Sequence, residues 1–265
     1  MPDTPPIVSA VANPFDLTGR VAVVTGGNSG IGKGMAEGLA RAGADVAIWS
    51  RNAERNQQAA YELSKYGARV VDVVCDVSDG QSVHDAFART LETLGRIDSC
   101  FANAGGVHLG STFVDMSLAE FRRVVAVNLD GAFLTLQGAA RHMIERGGGG
   151  SLVGVSSLSA VEGMPRGQHY AAAKAGLTAL IRSCAVELAR YGIRANAILP
   201  GWIETPLTER SFARQSLQEG VLKRIPQRRW GEPADFAGAA VYLASPASAY
   251  YTGGELVIDR GYRVY

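Results

Sequence analysis

The chain has 265 residues, 47 % hydrophobic and 19 % charged, with a formal net charge of +1. That apolar fraction supports a sizeable core, and the even charge balance argues against a nucleic-acid partner or an acidic tail. No apolar run approaches the ~20 residues of a membrane span, no signal-peptide pattern opens the chain, and Cys75, Cys100 and Cys184 form neither a CxxC nor a Cys/His cluster, so a cytoplasmic protein with free thiols, no metal and no membrane partner is expected.

Residues 1–15, with Pro2, Pro5, Pro6 and Pro14, read as a flexible arm before a single domain over 16–265. Residues 20–25 (RVAVVT) read as a buried strand, followed by a glycine-rich turn and a helix to about Ala42. Strand 45–50 (DVAIWS), helix 54–66, strand 69–75 (RVVDVVC) and helix 80–94 come next. Strand 97–103 leads to one long helical stretch over 117–146, stopped by Gly147 to Gly150. Strand 151–156 (SLVGVS), helix 168–191 and strand 193–199 (IRANAIL) follow. Helical patterns over 206–225 and 233–244 and a short strand at 255–258 complete the chain. Apolar strands alternating with helices predict parallel β-α-β units and a sheet covered on both faces. The fold class is therefore α/β: one Rossmann-like, doubly wound domain with about seven parallel strands.

Tyr170-Ala-Ala-Ala-Lys174 carries the most chemical content. On a helix, a four-residue step puts the phenol and the ammonium on one face, with Cβ atoms ~5–6 Å apart. A phenol titrates near ~10 and is a poor proton-transfer group at neutral pH, whereas a neighbouring cation favours its ionised form. Many solvated helix faces share this spacing, so the rest of the chain must decide. Directly after the first strand stands Thr25-Gly26-Gly27-Asn28-Ser29-Gly30-Ile31-Gly32. Glycines there let the backbone turn sharply and approach a pyrophosphate, and the amides of the following helix N-terminus attract the anion. The spacing, G-x-x-x-G-x-G, departs from the usual dinucleotide fingerprint G-x-G-x-x-G.

The pair of motifs, Thr-Gly-x-x-x-Gly-x-Gly and then Tyr-x-x-x-Lys, resembles the short-chain dehydrogenase/reductase family, and the resemblance covers nearly the whole chain. It implies a cofactor cradle from Gly26, Asn28, Ser29, Gly30, Ile31 and Gly32. It implies an adenine contact at Asp76 and Val77, and a cofactor floor at Asn103-Ala104-Gly105. Pro200-Gly201, Ile203 and Thr205 match the family's nicotinamide-binding segment. The implied catalytic residues are Asn128, Ser157, Tyr170 and Lys174, with Ser157 preferred over Ser156 because it lies thirteen residues before Tyr170. In this scheme Tyr170 exchanges the substrate proton, and Lys174 lowers the phenol pKa and holds the nicotinamide ribose. Ser157 orients the substrate oxygen, and Asn128 holds a relay water.

The second strand ends in Ser50-Arg51, where a carboxylate would select NAD. With a guanidinium there instead, and Lys33 nearby, NADP(H) is the preferred cofactor, with NAD(H) still usable. A lid is expected over about 206–229, and its Arg210, Arg214, Lys223, Arg224, Arg228 and Arg229 outnumber Glu209 and Glu219. Ser159, Met164, Gln168 and Trp202 are candidates to line the substrate pocket, with His108 read as a surface loop residue. The expected reaction joins a small polar, sugar-like or cyclic secondary alcohol to its ketone. A 3-oxoacyl-carrier reductase and a non-catalytic dinucleotide-binding sensor or scaffold are the alternatives. The family commonly forms tetramers, so a homotetramer is expected. The tail reads Asp259-Arg260-Gly261-Tyr262 where the family more often has Asp-Gly-Gly.

Overall fold

The computed structural model describes residues 13–106, 109–209 and 215–265. Seven strands, β1 (Val21–Thr25), β2 (Asp45–Ser50), β3 (Val70–Val74), β4 (Ser99–Ala102), β5 (Gly150–Val155), β6 (Ile193–Pro200) and β7 (Glu255–Ile258), form one sheet in the order β3-β2-β1-β4-β5-β6-β7. Every neighbouring pair is parallel. The helices are α1 (Gly30–Arg41), α2 (Ala53–Ser64), α3 (Gly80–Leu94), α4 (Leu118–Val125), α5 (Gly131–Arg146), α6 (Gln168–Leu188), α7 (Gln215–Arg224) and α8 (Ala237–Ala244).

The pleat explains why β1 is apolar throughout. Val21 and Val23 join one core with Phe87, Leu136, Met143, Leu177 and Ile181, from α3, α5 and α6. Ala22 and Val24 join the opposite core with Met35, Leu39, Leu63, Ala240 and Leu243, from α1, α2 and α8. Successive strand residues point to opposite faces, so a sheet covered twice needs a continuous apolar run. The strand order reverses between β1 and β4, which opens a crevice at the carboxyl ends of the strands.

Four expectations change. The stretch 117–146 is two helices, because a π turn at Ala126–Asp130 separates α4 from α5. The Asn128 side chain lies within it: its Nδ2 donates to the Val124 carbonyl at 2.9 Å, a side-chain bond to the helical ladder of the kind that accompanies such turns. Helix 168–191 ends at Leu188 and tightens to a 3-10 turn at Ala189–Tyr191, and the helix expected at Pro233 begins as a 3-10 turn, Pro233–Phe236. Residues 13–15, assigned to the arm, are anchored: Ala247 N–H donates to the Pro14 carbonyl at 3.1 Å. The rest of the arm (1–12), His108, and Arg210 and Arg214 of the lid lie outside the described residues. Among the described residues no helix is long and apolar enough to cross a membrane.

Candidate active site

The site is assembled where strands end. Thr25 closes β1 and is buried, and its Oγ1 accepts the N–H groups of Asn103 at 3.0 Å and Ala104 at 2.9 Å. Asn103 Nδ2 returns a bond to the Thr25 carbonyl at 2.8 Å. The glycine turn and the Asn-Ala-Gly segment are thus one unit. Gly26 and Gly30 have φ of +66° and +51°, the left-handed region open to glycine. A Cβ on Gly26 would lie 2.9 Å from Asn103 Nδ2, and one on Gly30 would lie 3.2 Å from Thr205 Cγ2. Ser29 caps α1 in an extended conformation without using its side chain for a cap bond. The first amides of α1 are thus left without a side-chain cap at the glycine turn, an arrangement that fits a dinucleotide pyrophosphate. Asn28 is oriented by Asn56 at 2.8 Å, and the fully buried Asn56 bonds the carbonyls of Ser50 and Val73, both at 3.0 Å. Asn56 and Thr25 organise this cradle from beyond the motif positions.

The remaining cofactor candidates border the same crevice. Ser50 ends β2, with Arg51 exposed beside it. Lys33 does not add free charge there, because its ammonium is paired with Glu62. Asp76 follows β3, and its carboxyl sits below the usual range because it accepts the Ser78 hydroxyl and N–H, with Arg51 a smaller influence. Val77 is buried against Gly131. Pro200 closes β6, and the segment after it carries Gly201, Ile203 and Thr205 across from the glycine turn.

Ser157, Tyr170, Lys174 and Asn128 come together beyond the ends of β4 and β5. Ser156 points inward: it is buried, and its hydroxyl donates to the Lys174 carbonyl at 2.9 Å. Ser157 is its half-buried neighbour and hydrogen-bonds the Tyr170 phenol. Lys174 is buried, and its ammonium donates to the Val155 carbonyl at 2.8 Å and lies 5.6 Å from the Tyr170 ring centre. The ammonium was expected to lower the phenol pKa; instead burial pushes the phenol up, with only the Ser157 bond opposing it. Burial also brings Lys174 itself down to about 8.

The Asn128 amide is engaged by backbone: Nδ2 donates to the Gly106 and Val124 carbonyls, and Oδ1 accepts the Gly106 N–H at 3.2 Å. It therefore fixes the Gly105-Gly106 turn beside Lys174, with one lone pair of Oδ1 left beyond the Gly106 bond. Around Ser157, Ser159 donates its N–H to the Ser157 hydroxyl at 3.1 Å and its hydroxyl to Met164 Sδ at 3.3 Å. Gln168 opens α6 with a buried amide oxygen that has no partner. Trp202 packs edge-on to Trp230, with ring centres 5.3 Å apart, and against Tyr262 at 6.3 Å.

Three of the described lid charges are engaged internally, while Lys223 is exposed. Arg224 pairs with Glu162 at 3.2 Å, Arg229 with Asp235 at 2.9 Å, and Arg228 bonds the carbonyls of Leu222 and Lys223. Among the described residues, no cluster of His, Cys, Asp and Glu is spaced to hold a metal ion.

Residues 26–263 match a family model described as enoyl-(acyl carrier protein) reductase. The chain is 40 % identical over 246 residues to an L-rhamnose 1-dehydrogenase (NAD(P)(+)) of Sphingomonas sp. (strain SKA58), covering 92 % of this chain and 96 % of that protein. It is 38 % identical over 245 residues to a 3-oxoacyl-[acyl-carrier-protein] reductase of Chlamydia pneumoniae, covering 92 % and 97 %. A crystal structure of a short-chain type dehydrogenase/reductase from Mycobacterium marinum superposes with a TM-score of 0.89 at 39 % identity, over 94 % of this chain and 97 % of that one. With the glycine cradle, the Ser157–Tyr170–Lys174 group and these relatives in agreement along its length, the chain belongs to the short-chain dehydrogenase/reductase family.

Proposed function

We propose that the chain is an NAD(P)-dependent oxidoreductase joining a sugar- or polyol-like secondary alcohol to its ketone, with NADP(H) preferred over NAD(H), working in the cytoplasm as a homotetramer. The observation that carries this reading is the convergence of Ser157, Tyr170 and Lys174 beside the glycine cradle. When bound, the nicotinamide supplies or accepts the hydride. The protein's part is position, proton and charge. Tyr170 gives its phenolic proton to the carbonyl oxygen in reduction, or takes the hydroxyl proton in oxidation. Its raised pKa keeps it protonated at neutral pH, the form needed for reduction. Ser157 donates to the substrate oxygen and stabilises charge as it develops. Lys174 has two N–H bonds beyond the one given to Val155, enough to hold a ribose hydroxyl.

The sugar-like substrate class is supported by the Sphingomonas relative, named an L-rhamnose 1-dehydrogenase, and by the unpartnered Gln168 oxygen, an acceptor for a substrate hydroxyl; at C1 of an aldose the oxidised hydroxyl is a hemiacetal and the product is the lactone. Acyl-carrier reduction is the second reading, because of the Chlamydia relative. Arg224 and Arg229 lend it less support, because each is paired with a carboxylate of this chain. A sensor without catalysis is disfavoured by the intact Ser157, Tyr170 and Lys174. For the cofactor, the exposed Arg51 supports NADP(H). For assembly, Phe133 on α5 and Val186 on α6 are exposed apolar side chains that a contact between copies would cover.

The deciding assay follows nicotinamide absorbance with both cofactors over L-rhamnose, other aldoses, polyols, cyclic alcohols and an acetoacetyl thioester. Turnover of a sugar or polyol with a lower KM for NADP(H) is the expected result. Cofactor binding without turnover of any of them overturns the enzymatic reading, and turnover of the thioester alone transfers it to acyl-carrier reduction.

A further inference from the structure

His169 is fully buried, stands one residue before Tyr170, and has no part in the chemistry above. Its Nδ1 accepts the Tyr170 backbone N–H at 2.8 Å. That N–H lies in the first turn of α6, where backbone donors have no helical partner, and Gly167 at the cap position has no side chain to offer. With Nδ1 accepting, the ring proton sits on Nε2. Nε2 is buried without a hydrogen-bond partner and faces Glu120 Oε1 of α4 at 3.9 Å.

Glu120 is in turn held by Ser111, whose N–H and hydroxyl reach it at 2.9 and 3.0 Å. Gly110 passes between the imidazole and the carboxylate. A Cβ there would lie 3.0 Å from His169 Nε2 and would run into Glu120 Oε1. Gly110 also exchanges two bonds with Arg166: its N–H donates to the Arg166 carbonyl at 2.8 Å, and Arg166 Nε donates to its carbonyl at 2.9 Å. One buried imidazole therefore contacts the first turn of α6, α4 and the segment 109–111 that follows the Asn-Ala-Gly turn.

We propose that His169 is a positioning residue for Tyr170, an inference that rests on Tyr170 being the proton-transfer group. The Nδ1 acceptor fixes the backbone that carries the phenol. Nε2 faces Glu120 without a hydrogen bond, and Gly110 packs against the ring on that side. Misplacing a reacting group by about 1 Å can cost ~10²-fold in rate.

Two replacements separate the nitrogens. In His169→Asn the amide oxygen takes the place of Nδ1. In His169→Gln the amide sits one methylene farther out, near Nε2, and the acceptor for Tyr170 N–H is lost. The expected result is kcat within ~3-fold of wild type for Asn and a fall of roughly 10–100-fold for Gln. NADPH dissociation constants from fluorescence titration should be unchanged in both. The substrate is the alcohol identified by the panel, and thermal melts establish that each variant is folded. If Gln does not fold, His169→Leu replaces it in the comparison. Equal kcat in the Asn variant and the acceptor-lacking variant overturns the positioning role, as does a matching loss of NADPH affinity. Turnover surviving in Tyr170→Phe removes the proton-transfer reading and the inference with it, so the two failures are distinguishable.

Discussion

At Tyr170 two local effects oppose each other. Burial favours the neutral phenol, and the Ser157 hydrogen bond favours the ionised one; burial is the larger. Lys174 is engaged with the Val155 carbonyl and, at 5.6 Å from the ring centre, does not offset it. The phenolic proton is thus firmly held until a carbonyl oxygen is placed to receive it. Tyr170→Phe keeps the ring and its packing and removes only that proton. Positioned proton transfer is worth ~10²–10⁴-fold, so kcat should fall by at least two to three orders of magnitude. NADPH affinity, set mainly by the glycine cradle, should change less than about threefold. Steady-state kinetics with fluorescence titration checks both, and near-wild-type turnover would refute Tyr170 as the proton donor.

Among the elements, α1 has the most constrained placement. It presents its N-terminal amides to the cradle, and its other side is pressed against the turn Pro233–Phe236 and the start of α8. A Cβ on Gly34 would overlap the Pro233 backbone carbonyl, which has no side-chain freedom with which to yield. Replacing a helical glycine by alanine ordinarily gains about 1 kcal/mol, whereas overpacking costs ~1–3 kcal/mol. Contact with backbone puts the cost at the upper end, so Gly34→Ala should lower Tm by roughly 4–8 °C and weaken NADP(H) binding. Gly238→Ala in α8 meets nothing within 4 Å and should hold or raise Tm. A melting comparison of the two tests whether α1 is placed by this contact, and equal shifts would deny it. The elements themselves were legible in the sequence because a sheet buried on both faces requires unbroken apolar strands such as 21–24. The π turn at Ala126–Asp130 was not legible. The family resemblance marks Asn128 as catalytic but gives no sign of a π turn, which shows only when its amide is seen bonded to both Val124 and Gly106, one contact local and one from another part of the chain.

Over the whole molecule, residues far apart in the chain close around the substrate side, and here the sequence is least informative. Spacing and family resemblance single out Ser157, Tyr170 and Lys174. Nothing local in sequence pairs Glu162 with Arg224, or Arg224 with Tyr262. In the fold, Arg224 at the end of α7 reaches Glu162 at 3.2 Å and lies 4.2 Å above the Tyr262 ring. Tyr262 packs in turn on Trp202, which joins Trp230, Val221 and Ile225 in a small apolar cluster. The tail that departs from Asp-Gly-Gly therefore has a use: Tyr262 provides the surface on which Arg224 rests. Arg260, at φ +56° where glycine would be unstrained, is held by Asp235 at 2.9 Å and by Gln227. The Arg224–Glu162 pair is partly exposed, with side chains 42 % and 23 % accessible. Such a pair contributes only ~0.2–1 kcal/mol, so Arg224→Glu should shift Tm by no more than about 2–4 °C. Its larger effect should be on the substrate, because the pair joins α7 to the segment that follows Ser157. We expect Arg224→Glu to raise the alcohol KM about 5–10-fold with kcat within twofold, a loss of uniform binding. The exchange Arg224→Glu with Glu162→Arg should recover most of that loss, since it restores the attraction with reversed sign. An unchanged KM in the single variant, or a doubly exchanged enzyme no better than the single one, would show that the ion pair does not shape the substrate side.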